Sequence, residues 1–246
     1  MKHKVIIVLP AYNAEKTLLK TLRAIPKGVA HEIILNDDGS NDKTVQRAKK
    51  LGIPTFQHST NRGYGANQKT CYALALARHA SIIVVLHPDF QYDPRLIPHL
   101  VDFIREDYFD VMLGSRIRTR KEALAGGMPL TKYYTNRILT FIQNIATGQN
   151  LGEWHTGLQA YSSKVLKAIP YETFSDDFIF ATQMFLASSK KGFRMGDIPV
   201  PVRYFPEASS INFKRSARYA LLTLFETLKY LLKPIVHKEH KDKSHR

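Results

Sequence analysis

The chain has 246 residues and a formal net charge of +15, and its length suits a single α/β domain with a sizeable core. It contains no run approaching the roughly 18 apolar residues that a membrane span requires, and its N-terminus lacks the pattern of a secretory signal. The single cysteine, Cys71, excludes a disulfide framework within one chain and favours a reducing compartment. We therefore expect a cytoplasmic protein whose basic surface meets nucleic acid, anionic lipid or phosphorylated substrates.

The first half of the chain alternates short apolar runs with amphipathic segments. The β-branched composition of the apolar runs predicts buried strands. These runs are residues 5–9, 32–35, 55–58, 81–86 and 111–114. Four helices are predicted between them. The first lies at about 15–25, the second begins near 41, the third ends near 79, and the fourth lies at 96–106. Repeated strand–helix units predict an α/β fold, in which a mostly parallel central sheet carries helices on both faces.

The pattern loosens after Gly114. Residues 116–128 contain a Gly-Gly pair and four basic side chains, which predicts a mobile loop. Helical spacing then predicts helices at 133–146 and 177–189. The segment 192–202 has strand character with turn-forming prolines.

The last predicted helix, 216–232, has a leucine-rich face that charged residues interrupt. It is too short and too charged to span a membrane. We expect it either to lie at a membrane interface, where its basic flanks meet anionic lipid, or to pack on the domain or a second subunit. We accordingly divide the chain into a main domain at 1–210 and a C-terminal helix with a basic polar tail at 211–246.

Polar side chains follow the apolar strand at 81–86. His87, Asp89 and Gln91 come directly after it, and ligands bind at the carboxyl edge of α/β sheets. Carboxylate, amide and imidazole groups are ligands for divalent cations. The sequence therefore predicts a cation site at this edge, and such a cation can hold a diphosphate.

Three other strand ends or turns carry polar groups, at 10–13, 37–40 and 63–65. The ring of Tyr12 can stack on a nucleobase, and the Asp37 carboxylate can accept a base N–H or a ribose hydroxyl. Gly39 permits a close approach of the backbone. Successive parallel strands bring these ends to one edge of the sheet, which predicts a nucleotide cleft beside the cation site.

Four segments resemble the signatures of the family 2 inverting glycosyltransferases with a GT-A fold. They are Leu9-Pro10-Ala11-Tyr12-Asn13, Asn36-Asp37-Asp38-Gly39-Ser40-Asn41-Asp42, Asn61-Arg62-Gly63-Tyr64-Gly65 and Gly114-Ser115-Arg116. The resemblance covers roughly residues 4 to 205 and is nearest to the branch that transfers sugars to dolichyl or polyprenyl phosphate. Four motifs in this order on the expected strands are far more specific than any one of them.

The resemblance implies a nucleotide-diphosphate sugar as donor, linked to UDP or GDP, and a divalent cation, Mg²⁺ or Mn²⁺. It assigns the contacts with base and ribose to Pro10, Tyr12 and Asp37. Asp38 and Gly39 are expected beside them in the nucleotide site, although one of the two acids can instead fix the turn or cap the following helix. Asp89 and Gln91 would hold the cation, Arg116 would contact a phosphate of the donor or acceptor, and Arg203 a donor phosphate. The chain departs from the family at His87, where an acidic residue is usual. Imidazole suits Mn²⁺ better than the harder Mg²⁺.

The acceptor that the resemblance implies is a polyprenyl phosphate at the cytoplasmic face of the membrane, which the protein would contact peripherally. An alternative is a hydroxyl of a glycan or lipid, which needs a general base; Asp177, or Asp176, is the candidate. A second alternative, raised by His87, is a non-catalytic nucleotide-sugar-binding protein. Specific nucleic-acid binding is not expected, because no basic motif is interleaved with aromatic residues.

Overall fold

The structure is a computed structural model that describes residues 3–201 and 213–232. Its strands lie close to the predicted positions, with one additional strand, β6 (Gln159–Ser162). They are β1 Val5–Ala11, β2 Glu32–Asp37, β3 Thr55–Gln57, β4 Ile82–Val85, β5 Val111–Ser115, β6 Gln159–Ser162 and β7 Met195–Pro199. The proposed boundary between 210 and 211 falls outside the described residues and stays a prediction.

The seven strands form one sheet in the order β3-β2-β1-β4-β6-β5-β7. Strand β6 runs antiparallel to both of its neighbours, β4 and β5, and the remaining pairs are parallel. The predicted mostly parallel α/β sheet is therefore confirmed. The carboxyl ends of β1, β2 and β4 lie side by side, which places three of the predicted polar segments at one edge.

The helices in the described ranges cover both faces of this sheet. They are α1 Leu18–Ala24, α2 Thr44–Lys50, α3 Tyr64–Ala77, α4 Ile97–Arg105, α5 Arg120–Ala125, α6 Leu130–Thr147, α7 Ser163–Ala168, α8 Ile179–Lys190 and α9 Phe213–Leu232. Alternate residues of β1 enter two separate apolar clusters: Ile6 and Val8 lie in one, and Val5, Ile7 and Leu9 in the other. This alternation follows from the two-residue period of a strand. None of the described helices is long and apolar enough to cross a membrane.

Three elements differ from the predictions, α5, β6 and the short helix α7, which no prediction covered. The segment 116–128 is not wholly a loop, because α5 forms within it and Thr119 caps the helix by accepting a hydrogen bond from Glu122 N at 3.1 Å. A Thr followed three residues later by Glu is a helix-start signal that the loop prediction overlooked. Strand β6 was not predicted, because its sequence, Gln-Ala-Tyr-Ser, is short and mostly polar.

Candidate active site

The ends of β1 and β2 are locked together by hydrogen bonds. Asp37 is fully buried, and its carboxylate accepts bonds from Ser40 N at 2.9 Å and Ser40 Oγ at 2.5 Å. Ser40 Oγ in turn accepts from Asn13 N at 2.7 Å, while Asn13 Oδ1 accepts from Asn41 N at 2.9 Å. Tyr12 beside them is 49% exposed, which leaves its ring open to a planar ligand.

Asp38 holds the turn at 61–65 in place. Its carboxylate accepts bonds from Arg62 N at 3.0 Å and Gly63 N at 2.9 Å, and it lies 2.6 Å from His58 Nδ1. Gly39 has a φ of +71°, and a Cβ there would come within 2.7 Å of Asn61 N. The predicted close approach at Gly39 is therefore made to this turn of the chain, and Asp38 fixes the same turn.

The segment after β4 presents one carboxylate and one imidazole to the same edge. Asp89 Oδ1 accepts a bond from Gln91 N at 3.0 Å. Burial lowers the pKa of His87, against the opposing effects of the Asp89 charge and a hydrogen bond to the backbone of Pro10. The ring stacks on Tyr64, with centroids 5.2 Å apart. His87 Nε2 is buried and has no hydrogen-bond partner among the described residues, so a neutral imidazole offers a nitrogen to a ligand.

Arg116 is held by a buried acid that the sequence analysis missed. Glu153 is fully buried and accepts bonds from Arg116 N at 2.6 Å and Arg116 Nε at 3.0 Å, and a third from Nη2. Asn136 Nδ2 donates to the same carboxylate at 2.8 Å. Arg116 Nη1 donates to Gln91 Oε1 at 3.4 Å. Glu153 therefore aims the guanidinium towards the segment that carries Asp89.

A cavity of about 540 Å³ lies between this edge of the sheet and the helices α6 and α9. Its wall carries three charged side chains, those of Asp89, Arg116 and Lys132. Burial, and to a lesser extent the Arg116 charge, lowers the pKa of Lys132. Asp89 is the only acid among the described residues that line the cavity. Glu153 balances the charge of Arg116 from behind the wall, so a protonated Lys132 and Asp89 leave the cavity close to neutral, with two cationic N–H donors on its wall.

A second histidine adds to the polar lining of the cavity. His155 Nδ1 lies 2.8 Å from Tyr219 Oη, and burial, aided by the Arg116 charge, lowers the pKa of His155 to about 3. Its Nε2 and the Nε2 of Gln91 are buried without hydrogen-bond partners among the described residues. With His87, three polar side chains thus line one cavity with unused nitrogen atoms. Lys132 and Tyr219 were not predicted, since only the tertiary fold brings α6 and α9 to the cavity.

The predicted acceptor-side acids lie elsewhere. Asp177 is exposed and accepts a bond from Phe178 N at 2.8 Å, and Asp176 pairs with Lys69 at 2.8 Å. Neither lines the cavity, although the neighbouring Phe178 does. Trp154, next to His155 in the sequence, is fully buried in the core. Arg203 lies outside the described residues.

The candidate donor groups for a cation are the side chains of Asp89 and His87, with the predicted Gln91 beside them. Within residues 3–201 and 213–232 no group of three or more His, Cys, Asp and Glu side chains could hold a metal ion. A nucleotide-dependent cation needs fewer protein ligands, because Mg²⁺ is commonly held by one or two carboxylates together with substrate phosphates. The Asp89 carboxylate and the unpartnered His87 Nε2 fit such a cation, and Gln91 Oε1 would have to share its lone pairs with Arg116.

The fold is that of known GT-A glycosyltransferases. A crystal structure of glucosyl-3-phosphoglycerate synthase from Mycobacterium tuberculosis, in complex with Mn²⁺, UDP and phosphoglyceric acid, superimposes with a TM-score of 0.70. The match covers 95% of this chain and 80% of that one at 17% sequence identity. At this identity the likeness confirms the predicted GT-A fold alone.

Two relatives extend over most of the sequence. An uncharacterised protein of Methanocaldococcus jannaschii is 30% identical over 203 residues, which cover 82% of this chain and 83% of the relative. The UDP-N-acetylglucosamine–dolichyl-phosphate N-acetylglucosaminyltransferase of Methanococcus voltae is 26% identical over 217 residues, covering 81% and 86%. The family described as Glycosyl transferase family 2 matches residues 6–169, which is more than half of the chain. The chain therefore belongs to glycosyl transferase family 2 and is a glycosyltransferase.

Proposed function

We propose that the enzyme transfers a sugar from a UDP- or GDP-linked donor to a polyprenyl phosphate at the cytoplasmic face of a membrane. The observation that carries this proposal is that two cationic side chains, Arg116 and Lys132, reach the wall of one cavity, where their N–H groups can bind a phosphate although Glu153 balances the charge of Arg116. A phosphate acceptor needs no general base, because its oxygens are ionised near neutral pH, with a second pKa of about 6. A hydroxyl acceptor would need one.

The donor would lie across the edge formed by β1, β2 and β4. Tyr12 is exposed for stacking on the base. Asp37, whose buried carboxylate already accepts from Ser40, would need a remaining lone pair for the nucleoside. Asp89 and His87 would hold the cation, which neutralises charge on the leaving diphosphate when bound. Arg116, held in position by Glu153, would add a second positive charge that stabilises the negative charge developing on the leaving diphosphate. The acceptor phosphate would then attack the anomeric carbon from the face opposite the leaving diphosphate, so that the configuration is inverted.

The relatives support this class of acceptor. The Methanococcus voltae protein is named for transfer to dolichyl phosphate, and the match extends over most of both chains. A long lipid tail would remain in or near the bilayer, so the enzyme would contact the membrane while its donor site remains in water.

The direct test is transfer of a labelled sugar from UDP- and GDP-sugars to a polyprenyl phosphate, with Mg²⁺ or Mn²⁺ present. We expect label to pass into the organic phase with one nucleotide series, and the product to be labile to mild acid as a glycosyl phosphate. Label that appears only on a hydroxyl-bearing glycan or lipid would refute the phosphate acceptor.

Asp177→Asn separates the phosphate acceptor from the hydroxyl acceptor. We expect turnover on polyprenyl phosphate to change by less than about threefold, because an ionised phosphate needs no base. Asp176→Asn serves as the neighbouring control. A loss of about a hundredfold or more, confined to Asp177→Asn, would indicate that Asp177 acts as a general base and would contradict the proposal.

His87→Asp tests the imidazole as a cation ligand. A second carboxylate should favour Mg²⁺ over Mn²⁺ relative to the wild type, because hard cations prefer oxygen ligands. Mn²⁺ binding can be titrated by electron paramagnetic resonance in the presence of the nucleoside diphosphate, with and without competing Mg²⁺. The ratio of the Mn²⁺ affinity to the Mg²⁺ affinity should be lower in the variant than in the wild type. An unchanged preference would remove His87 from the ligand set.

A further inference from the structure

Helix α6 exposes a continuous apolar stripe to solvent. Its five members, spaced three or four residues apart, are between 49% and 68% exposed. They are Leu130, Tyr134, Ile138, Phe141 and Ile145. This spacing puts them on one face of the helix. The opposite face of α6, with Asn136 and Leu139, lines the cavity.

Helix α9, which packs against α6, exposes a second stripe. Its members are between 40% and 74% exposed and are Leu221, Leu224, Phe225, Leu228, Leu231 and Leu232. The two helices carry eleven of the fifteen large apolar side chains that are exposed in the described part of the chain. Isolated exposed apolar residues are ordinary, whereas a concentration of this kind marks an interaction surface. We call these two stripes together the apolar platform.

Basic residues border the apolar platform. On α9, Arg215, Arg218 and Lys229 are exposed, and around α5, which packs against α6, Arg118 and Arg120 are exposed as well. Lys229 pairs with Glu226 and Arg118 with Glu122, so basic residues outnumber the acids on this border without being its only charges. The sequence beyond Leu232 adds five Lys or Arg residues and only two acidic ones. Apolar side chains flanked by Lys and Arg suit the surface of an anionic bilayer, where the rings and leucines enter the acyl boundary and the cations meet lipid phosphates.

We propose that the apolar platform docks the enzyme on an anionic lipid bilayer. The charge decides between this occupant and a second copy of the chain, because a symmetric contact would bring two basic rims together. The inner faces of the same helices line the cavity, so docking would bring the cavity close to the bilayer. The docking itself does not depend on the proposed acceptor, since any anionic bilayer would serve.

The test is co-sedimentation of the full chain with vesicles that contain no polyprenyl phosphate. Binding is expected to vesicles of mixed phosphatidylcholine and phosphatidylglycerol, to weaken with added salt, and to be much lower on pure phosphatidylcholine. The double variant Phe141→Ser/Phe225→Ser should lower partitioning at least about tenfold, because two aromatic side chains no longer enter the lipid. Tyr108→Ser, at a residue 61% exposed outside the platform, is the matched control and should partition as the wild type does.

Two results would overturn the proposal. One is the absence of wild-type binding to anionic vesicles, or binding that the double variant retains in full. The other is a lipid-free dimer in sedimentation velocity that the double variant converts to monomers, which would assign the apolar platform to a second copy. Circular dichroism and melting curves establish that the variants are folded. Because the vesicles lack the acceptor, failure here and failure of the sugar-transfer assay are separate outcomes.

Discussion

Asp89→Asn is expected to lower kcat/KM by about 10²–10³-fold while leaving the protein folded. The asparagine oxygen can still accept the hydrogen bond from Gln91 N, which is 3.0 Å from Asp89 Oδ1 in the structure. The negative charge that would hold a cation on the donor diphosphate is lost, and removing one preorganised electrostatic contact of this kind costs about that much in rate. Steady-state kinetics with saturating Mn²⁺ and then Mg²⁺ measures the change.

Binding measurements test whether the fall in kcat/KM of Asp89→Asn comes from a loss of cation binding. Calorimetric titration with the nucleoside diphosphate should give cation-enhanced affinity in the wild type and little enhancement in Asp89→Asn. Asp102→Asn is a suitable control, because Asp102 lies on α4 and pairs with Arg105 near the surface. If Asp89→Asn kept kcat/KM within tenfold of the wild type, Asp89 would not be the cation ligand.

Glu153→Gln is expected to lower the free energy of unfolding by about 3 kcal/mol. The Glu153 side chain is fully buried and that of Arg116 only 11% exposed, so the neutral amide would leave a buried guanidinium without its counter-charge. For a chain of this size the loss corresponds to a fall in melting temperature of roughly 6–12 °C. Activity should fall as well, because the guanidinium is no longer aimed towards Gln91 and Asp89.

Two further variants separate stability from catalysis at this pair. Arg116→Met/Glu153→Leu removes both charges, and replacing a buried pair by apolar groups is often nearly neutral for stability. Melting should recover only in part, because Arg116 N and Asn136 Nδ2 lose their acceptor, while activity stays lost. Glu226→Gln breaks a more exposed pair with Lys229 and should cost at most about 1 kcal/mol. Melting of Glu153→Gln at the wild-type temperature would contradict the expected role of Glu153.

The strand-end motifs were accessible from the sequence because their signals are local. Apolar, β-branched runs that stop at polar residues predicted β1, β2 and β4, and the parallel register then placed Tyr12, Asp37 and Asp89 at one edge. Gly39 shows how far such reasoning reaches. The sequence predicted that another group approaches the backbone of Gly39 closely, but not which group it is. The structure shows that the partner is the turn at Asn61.

Other features required the tertiary structure. Strand β6 has a mostly polar sequence and becomes a strand because β4 and β5 both offer it unpaired backbone groups. Glu153 has no local signal, since an acid in a sequence is ordinarily solvated and only its burial against Arg116 gives it a role. The acids at 176 and 177 followed a motif, but in the fold both side chains lie away from the cavity wall.

By itself the sequence determined the α/β class, the family and the polar edge of the sheet, because strand periodicity and turn residues are properties of neighbouring positions. Only the tertiary structure decided what faces the edge. Helices α6 and α9 are distant in sequence from β4, and their packing creates the cavity, brings Lys132 and Tyr219 to its wall and leaves the apolar platform outside. The net charge of +15 indicated an anionic partner. Which kind of partner it is depends on the positions of the basic residues relative to the apolar platform, and these positions are known only from the fold.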